Sequence, residues 1–198
     1  MNEVITEKMY NEIKNKWPNG SPIYHNYGTL VHRYSLIKDY IHLLKNCDVL
    51  EIGANSGLFM YSLMQHASTL IELEPHDEYS QQCLITLDCL SDYHNGKVSV
   101  LKNTLEEFSK TNYEFNALYA SFVLYHLNDN EIKILQEQIL PKCEVVIIPN
   151  RNKERGKKKN SYNLNRPQEI AKLLQTNGFK TKIDLLNNTG YSVIVGTR

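Results

Sequence analysis

The chain lacks most of the features that would point directly to a function. Its 198 residues carry 22 Lys and Arg against 22 Asp and Glu, so no overall charge attracts it to nucleic acid or to an anionic membrane. No apolar run approaches the roughly 20 residues that a membrane-spanning helix needs. The first residues also lack the basic start and apolar core of a secretory signal. We therefore expect a soluble, cytoplasmic protein without membrane contact.

Cysteine is scarce as well, and its pattern argues against a structural metal or a disulfide. The four cysteines form no Cys-x-x-Cys pair and lie within or beside apolar runs. A cysteine in such a run behaves as a small hydrophobic residue. We therefore expect reduced thiols in the core and no metal site; these cysteines are Cys47, Cys83, Cys89 and Cys143.

The length of the chain suggests one domain, because about 200 residues can bury one full-sized core but are few for two. We predict a single domain at 1–198, with a helical N-terminal cover at 1–47 and a core at 48–198. Apolar residues four apart predict a first helix at 3–16, ended by Trp-Pro-Asn-Gly at 17–20. A second helix is predicted from Thr29, as its N-cap, to Leu44.

From residue 48 onward, runs typical of strands alternate with runs typical of helices, which predicts a mostly parallel sheet covered by helices on both faces. Two β-like runs at the C-terminus have no helix-length segment between them, so we predict an antiparallel hairpin there. The expected fold is a three-layer α/β sandwich. Strands are predicted at 48–52, 69–74, 97–101, 115–121, 143–148, 179–185 and 191–196, and helices at 57–66, 77–92, 129–139 and 166–177.

The first predicted strand runs into a glycine-containing loop, DVLEIGANSG at 48–57. A loop that binds a dinucleotide needs glycine at its first, third and sixth positions, so that the backbone can approach the pyrophosphate. Here those positions hold Gly53, Asn55 and Leu58. A P-loop is excluded too, because no Gly-Lys-Ser/Thr follows Gly57. The loop is therefore unsuited to a pyrophosphate.

The remaining pattern, an acid followed by Gly53, Asn55 and Gly57, resembles the first motif of class I S-adenosylmethionine-dependent methyltransferases. The resemblance implies a Rossmann-like methyltransferase fold and S-adenosylmethionine as cofactor, with these three loop residues binding it. It also implies that Glu51 lies near the positively charged end of the cofactor. An acid at the end of a buried strand needs a partner in any case, because an unpaired buried carboxylate is costly.

Other segments resemble the same family at matching spacings. The resemblance implies that Glu74, at the end of the second strand, binds the ribose hydroxyls, with Glu72 as the competing assignment. It places Asn103 and Thr104 near the adenine, although the family usually has Asp at the position of Thr104. The segments NALYASFVLYHLND and RPQEIAKLLQTNGF match two later motifs, so the resemblance covers roughly 48–198. It also assigns Ser121 to the cofactor site.

Methyl transfer is a direct displacement on an activated donor, so few catalytic residues are obligatory. His126 is the candidate general base, because a histidine titrates near neutral pH; the alternative is a structural role at the end of the strand. Side chains from the N-terminal cover and from the position beside His126 are candidates to line the substrate pocket. These substrate candidates are Tyr24, Tyr27, His32 and Tyr125.

The methyl acceptor is constrained mainly by absent motifs. The chain has neither the Asp/Asn-Pro-Pro-aromatic motif nor the Pro-Cys nucleophile of DNA methyltransferases, and Ser121 stands where ribose methyltransferases need Asp. We expect a small molecule methylated on oxygen or nitrogen. The basic run Arg151–Lys159, six basic residues against one acidic, leaves RNA or another nucleic acid as an alternative. A non-catalytic binding module of the same fold is a further alternative, and no oligomeric state is indicated.

Overall fold

The computed structural model describes residues 4–18, 26–152, 161–186 and 190–198. It contains a seven-stranded mixed sheet with strand order β3-β2-β1-β4-β5-β7-β6. The strands are β1 (Asp48–Ile52), β2 (Thr69–Leu73), β3 (Val98–Leu101), β4 (Ala117–Tyr119), β5 (Val145–Arg151), β6 (Lys180–Leu186) and β7 (Tyr191–Thr197). The α-helices of the described residues are α1 (Glu7–Lys16), α2 (Tyr27–Ile37), α3 (Met60–Met64), α4 (Asp77–Cys89), α5 (Ser91–His94), α6 (Leu105–Phe108), α7 (Asp129–Ile134) and α8 (Pro167–Thr176).

The predicted fold class is confirmed. β1 pairs in parallel with β2, β2 with β3, and β4 with β5, whereas β7 is antiparallel to both β5 and β6. The predicted C-terminal hairpin is therefore β6 and β7, with β7 as the strand next to β5. Two compact units, Met1–Thr104 and Leu105–Arg198, are described separately below. The organisation as one domain stays a prediction.

The first unit is built on β1, β2 and β3. Four of the five residues of β1 and of β2 are buried, which fits strands that are covered on both faces. The helix α4 contributes buried side chains such as Cys83 and Thr86 to this unit. Its N-terminal part is the helix α1, capped by the Thr6 side chain, which accepts a hydrogen bond from Met9 N.

The predicted second helix is wrong in its start and in its length. Asn26, and not Thr29, caps α2, because the Asn26 side chain accepts a hydrogen bond from the Thr29 backbone N–H at 2.9 Å. The helix ends at Ile37, and a short 3₁₀ turn follows at Ile41–Leu44. The helix α2 and the 3₁₀ turn both bury apolar side chains, such as Leu30 and Ile37 in the helix and Ile41 and Leu44 in the turn. The helical spacing of apolar residues therefore continues past the end of α2.

The second unit is built on β4, β5, β6 and β7. The helix α8 begins at Pro167 and ends before Gly178, which has φ 85°, as predicted from Pro at the first turn and Gly after the last. The predicted helix at 129–139 is α7 followed by a π-helical turn at Leu135–Ile139. α7 is opened by a capping box between Asn128 and Glu131.

Several predicted boundaries are wrong for local reasons. α3 begins at Met60, three residues after the predicted start, because Gly57 has φ 70° and cannot belong to a right-handed helix. The helix predicted at 77–92 is interrupted at Leu90, where α4 ends and α5 begins. The fourth strand ends at Tyr119 and not at 121, shortly before Phe122 turns the backbone with φ 57°. β5 extends to Arg151, three residues beyond its predicted end.

Among the described residues, no helix has both the length and the apolar character required to cross a membrane. The cysteines are free thiols. Cys47, Cys83 and Cys143 are buried as predicted for core thiols, whereas the prediction is wrong for Cys89, which is half-buried. Burial raises the pKa of Cys143 to about 12. That thiol therefore stays protonated at neutral pH.

Candidate cofactor-binding site

The carboxyl ends of β1, β2 and β3 lie level with one another in the first unit. Ile52 is the register partner of Leu73, and Leu73 is the register partner of Leu101. The residues that follow the three strands therefore emerge at the same edge of the sheet, where ligands of open parallel sheets bind. This edge is the place of the glycine-containing loop.

The loop after β1 is held in a conformation that ordinary residues seldom adopt. Gly53, Asn55 and Gly57 have φ of 76°, 55° and 70°. Left-handed backbone is readily available to glycine and is tolerated by asparagine better than by most residues. The backbone N–H of Gly53 donates to Leu73 O at 2.9 Å, and Ala54 N–H donates to the same oxygen at 3.3 Å. The first two residues of the loop are thus hydrogen-bonded to the last residue of β2.

Gly57 is required by packing as well as by its backbone. A Cβ at this position would lie 2.7 Å from Cys83 Sγ and 3.2 Å from Met60 Cε. The close approach here is therefore between the loop and α4. The resemblance assigns Gly57 to cofactor binding, and the structure adds a second reason for glycine at this position, the buried thiol of Cys83.

Glu74 follows β2 directly and is bound to the loop. Its Oε2 accepts a hydrogen bond from Asn55 N at 2.8 Å, and its Oε1 accepts one from His76 N at 3.0 Å. The side chain is 5 % exposed. Burial raises the pKa of Glu74, and the hydrogen bonds from His76 N and Asn55 N oppose that rise. The carboxylate is thereby oriented by the backbone of the loop that precedes it in sequence by some twenty residues.

Glu51 and Glu72 are register partners on the adjacent parallel strands β1 and β2. Glu51 is 3 % exposed and Glu72 is fully buried. Burial raises the pKa of Glu51 to about 7, against the opposing effects of a hydrogen bond with Glu72 and the charge of Arg33. Burial and then the Glu51 charge raise the pKa of Glu72 well above the usual range for a carboxyl group. The two groups together favour a shared proton.

Residues of α4 and of the N-terminal helices contact the loop after β1. Thr86 Oγ1 lies 2.7 Å from Ser56 O in the loop and accepts a hydrogen bond from Trp17 Nε1 at 3.3 Å. The Tyr34 ring of α2 lies 6.5 Å from the Phe59 ring at the end of the loop. Arg33 and Tyr34 are neighbours on α2, so the helix brings both a cation and an aromatic ring to this part of the first unit.

The other predicted cofactor residues of the first unit follow β3. Glu74 N donates to Leu101 O at 3.1 Å, which places the chain after β3 beside the end of β2. Asn103 is half-buried and Thr104 is exposed. Both residues therefore lie at the same edge of the sheet as Glu74, and their contact with an adenine stays a prediction.

The substrate candidates of the N-terminal cover differ in their surroundings. Tyr27 is half-buried: its hydroxyl donates to Ile5 O at 2.9 Å, and its ring lies 5.7 Å from the Tyr10 ring. His32 is exposed on α2. Tyr24 lies outside the described residues, as does the part of the basic run from 153 to 159.

In the second unit, Ser121, Tyr125 and His126 follow the carboxyl end of β4. Ser121 and Tyr125 are half-buried and His126 is exposed. The latter two belong to a 3₁₀ turn, with ring centroids 4.4 Å apart. His126 therefore lies seven residues beyond β4 on a turn of its own.

A cation and two aromatic rings meet at the ends of β4, β5 and β7. Arg151 Nη2 donates to the Tyr191 hydroxyl at 3.0 Å, and the guanidinium carbon lies 5.3 Å from the Tyr191 ring centroid. The Phe122 ring meets the Tyr191 ring edge to face, at an angle of 75° and with centroids 5.7 Å apart. Phe122 keeps the φ of 57° noted above, a conformation that costs an aromatic residue on the order of 1 kcal/mol or more and marks many functional sites.

The sequence patterns did not identify four residues of these clusters: Arg33, Phe122, Tyr191, and Glu72 as the partner of Glu51. Glu72 was weighed only as a ribose ligand. The predicted strand ends at 52 and 74 would place Glu51 opposite Leu73, whereas the register of the structure pairs Glu51 with Glu72. Neighbouring residues in the sequence do not identify Arg33 or Tyr191 either, because each acts on a residue that is distant in sequence. Within the described residues, no group of three or more His, Cys, Asp or Glu is arranged to hold a metal ion.

The fold is the one shared by class I methyltransferases. No protein-family model matches the chain. No curated protein matches it in sequence. Solved structures do match it in shape, and they are methyltransferases of this fold at low sequence identity. The likeness therefore establishes the architecture of this chain.

Three of these solved structures cover nearly the whole chain. Magnesium protoporphyrin IX methyltransferase from Synechocystis PCC 6803, with bound S-adenosylhomocysteine, is 13% identical with a TM-score of 0.64, over 96% of this chain and 93% of that one. A S-adenosylmethionine-dependent methyltransferase from Aquifex aeolicus is 14% identical with a TM-score of 0.60, over 94% and 96%. DhpI in complex with S-adenosylhomocysteine is 14% identical with a TM-score of 0.62, over 96% and 95%.

Proposed function

We propose that the protein is an S-adenosylmethionine-dependent methyltransferase that methylates an oxygen or nitrogen atom of a small molecule. The hydrogen bond of 2.8 Å from Asn55 N to Glu74 carries the proposal. It joins a buried acid to a loop that has left-handed backbone but lacks the glycine spacing for a pyrophosphate. A nucleoside without phosphate fits this combination, and solved proteins of the same fold bind S-adenosylmethionine or S-adenosylhomocysteine.

The acids of the first unit have free acceptor capacity where this cofactor needs it. Each oxygen of Glu74 accepts one backbone hydrogen bond, and a carboxylate oxygen can accept two. Glu74 can therefore take both ribose hydroxyls as a pair. Glu51 Oε2 is buried and accepts no hydrogen bond from a donor in the described part of the chain, so it suits the cationic end of the cofactor. Asn103 and Thr104 are the proposed adenine contacts.

When bound, the cofactor supplies an electrophilic methyl group on a sulfonium sulfur. The work left to the protein is to align the acceptor, exclude water and take a proton from a neutral acceptor. We assign the proton transfer to His126, a further cofactor contact to Ser121, and a place in the lining of the acceptor pocket to Tyr125. Tyr24, Tyr27 and His32 are the proposed acceptor contacts from the N-terminal cover. Tyr27 would act through its ring, because its hydroxyl already donates to Ile5 O.

The balanced charge of the chain supports a small-molecule acceptor over nucleic acid. Arg151 and the rings of Tyr191 and Phe122 support the same choice, because a guanidinium on an aromatic platform suits a planar or anionic acceptor. These groups are half-buried, which favours a compact ligand over an extended strand.

Binding of the cofactor is the first test. We expect S-adenosylmethionine and S-adenosylhomocysteine to raise the melting temperature of the wild-type protein and to bind measurably by calorimetry. Glu74→Gln should weaken binding at least about tenfold, because an amide cannot accept both ribose hydroxyls. Glu78→Gln, on the exposed first turn of α4, is the matched control and should bind normally.

The melting temperature of unliganded Glu74→Gln separates lost binding from lost folding. Wild-type protein that binds neither ligand at millimolar concentration would refute the proposed function. The acceptor class is tested on the same preparation by transfer of a radiolabelled methyl group into cell extract fractionated into small molecules, nucleic acid and protein. Label in the small-molecule fraction is expected; label in RNA would favour a nucleic-acid acceptor instead.

A further inference from the structure

The first unit buries a second carboxyl group, that of Glu72, beside Glu51, although the proposed cofactor contacts do not require it. Side chains at register positions of adjacent parallel strands lie on the same face of the sheet, so Glu51 and Glu72 are side by side. Apart from the carboxyl group of the other member of the pair, no donor among the described residues gives a hydrogen bond to either oxygen of Glu72 or to Glu51 Oε2. Two buried carboxyl groups in this position can hydrogen-bond to each other only if one of them carries a proton.

The charged and titratable groups around the pair come from three elements. Arg33 on α2 favours the charged form of Glu51. Glu74, just beyond β2, disfavours a charge on both members of the pair. Cys83 on α4 stays a neutral thiol, because burial and then the three nearby carboxyl groups raise its pKa. Among the described residues, the charge of Arg33 thus acts against three neighbouring acids, and His76 acts on Glu74.

The excess of acids over cations around the pair determines how the pair responds to a cationic ligand. If both carboxyl groups of the pair were charged in the absence of ligand, one guanidinium would have to offset three buried negative charges. A cation placed against Glu51 supplies the missing charge, so the proton between the two acids is no longer needed. The charge balance is conserved, because one positive charge enters from the ligand and one proton leaves to the buffer.

We propose that the Glu51–Glu72 pair holds one proton in the unliganded protein and releases it when the cationic end of the methyl donor binds. Glu72 is then the residue that couples donor binding to proton release, although the proposed contact to the donor is made by Glu51. This inference rests on the proposed function, since it requires that the donor binds at the β1 loop. It also predicts a difference between ligands, because a nucleoside without a positive charge would bind without releasing the proton of the Glu51–Glu72 pair.

The test is a count of protons released on binding. Calorimetric titrations with S-adenosylmethionine and with 5′-methylthioadenosine, which lacks the cationic end, are run near pH 6.5 in two buffers of different ionisation enthalpy. We expect release approaching one proton with S-adenosylmethionine and close to none with 5′-methylthioadenosine. In Glu72→Gln the release with S-adenosylmethionine should disappear, because the amide holds no exchangeable acid proton. Glu78→Gln should behave as wild type.

A second measurement uses only the wild-type protein, so that the proposal remains testable if Glu72→Gln does not fold. Between about pH 6 and pH 7, the dissociation constant for S-adenosylmethionine should fall by up to about tenfold, whereas that for 5′-methylthioadenosine should change little. Equal proton release in wild type and Glu72→Gln, or equal pH dependence for the two ligands, would overturn the inference while leaving the proposed function intact. Failure of wild type to bind S-adenosylmethionine at any pH would instead refute the proposed function.

Discussion

At the scale of single residues, Gly57 shows how two physical demands meet at one position. Its φ of 70° is strained for any residue with a Cβ, and the space that a Cβ would occupy is taken by Cys83 Sγ. Gly96 has a similar φ of 74° but has nothing within 4 Å of the same position. A substitution at Gly96 therefore measures backbone strain alone, whereas the same substitution at Gly57 measures strain together with steric overlap.

We predict that Gly57→Ala lowers the free energy of unfolding by at least about 2 kcal/mol, whereas Gly96→Ala costs only about 1 kcal/mol from backbone strain. Urea unfolding of both variants measures the difference. Adding Cys83→Ala to Gly57→Ala should recover part of the loss, because the nearest atom is removed while the strain remains. Equal costs for the two single variants would show that Cys83 can move aside freely.

At the scale of secondary-structure elements, the loop after β1 depends on α4 for its position. Thr86 lies in the middle of α4, accepts a hydrogen bond from the indole of Trp17, and has its hydroxyl within 2.7 Å of Ser56 O and 2.9 Å of Gln82 O. Thr86 and Ser56 are fully buried and Trp17 is 5 % exposed. One hydroxyl thus joins the end of α1, α4 and the loop.

We predict that Thr86→Val destabilises the protein by about 2 kcal/mol, because the buried indole N–H loses its acceptor while the volume of the side chain is kept. Thr176→Val is the control, since the exposed Thr176 hydroxyl donates to Leu173 O within its own helix and to no other described residue. The measurement is the midpoint and slope of urea unfolding. A loss no larger than that of Thr176→Val would mean that the Trp17–Thr86 contact contributes nothing to stability.

At the scale of the whole molecule, the formal charges balance, yet three of the acids are buried together in the first unit. For a carboxyl group whose pKa is raised by folding, the folded state binds more protons than the unfolded state. Stability is therefore lost as the pH rises from the unfolded pKa toward the folded one. A rise from 4.5 to about 7 for Glu51 corresponds to on the order of 3 kcal/mol.

We predict that the unliganded protein has a lower free energy of unfolding at about pH 8 than at about pH 6, and that Glu72→Gln reduces this difference. The amide removes one acid and can donate a hydrogen bond to Glu51, so Glu51 ionises at a lower cost. Urea unfolding at the two pH values tests this. Glu114→Gln, in an exposed loop, should keep the wild-type difference; a Glu72→Gln variant that also kept it would contradict the prediction.

Much of the architecture could be predicted from the sequence because it depends on local patterns. The alternation of strand-like and helix-like runs identified all seven strands, and the lack of a helix between the last two identified the antiparallel hairpin. Boundaries were predicted less well where a single residue overrides the pattern. The positive φ of Gly57 precedes a late start of α3, and the positive φ of Phe122 follows an early end of β4. The side chain of Asn26 replaces Thr29 as the cap of α2.

The sequence by itself determined the fold class and the kind of loop that follows β1, because apolar periodicity and glycine spacing are properties of neighbouring residues. Only the tertiary structure decided that Glu72 is the partner of Glu51, that Gly57 packs against Cys83, and that the charge of Arg33 acts on Glu51. These interactions join residues that are distant in sequence. They depend on strand register and helix packing, so the buried acids acquire their shared proton only when β1, β2 and their covering helices come together.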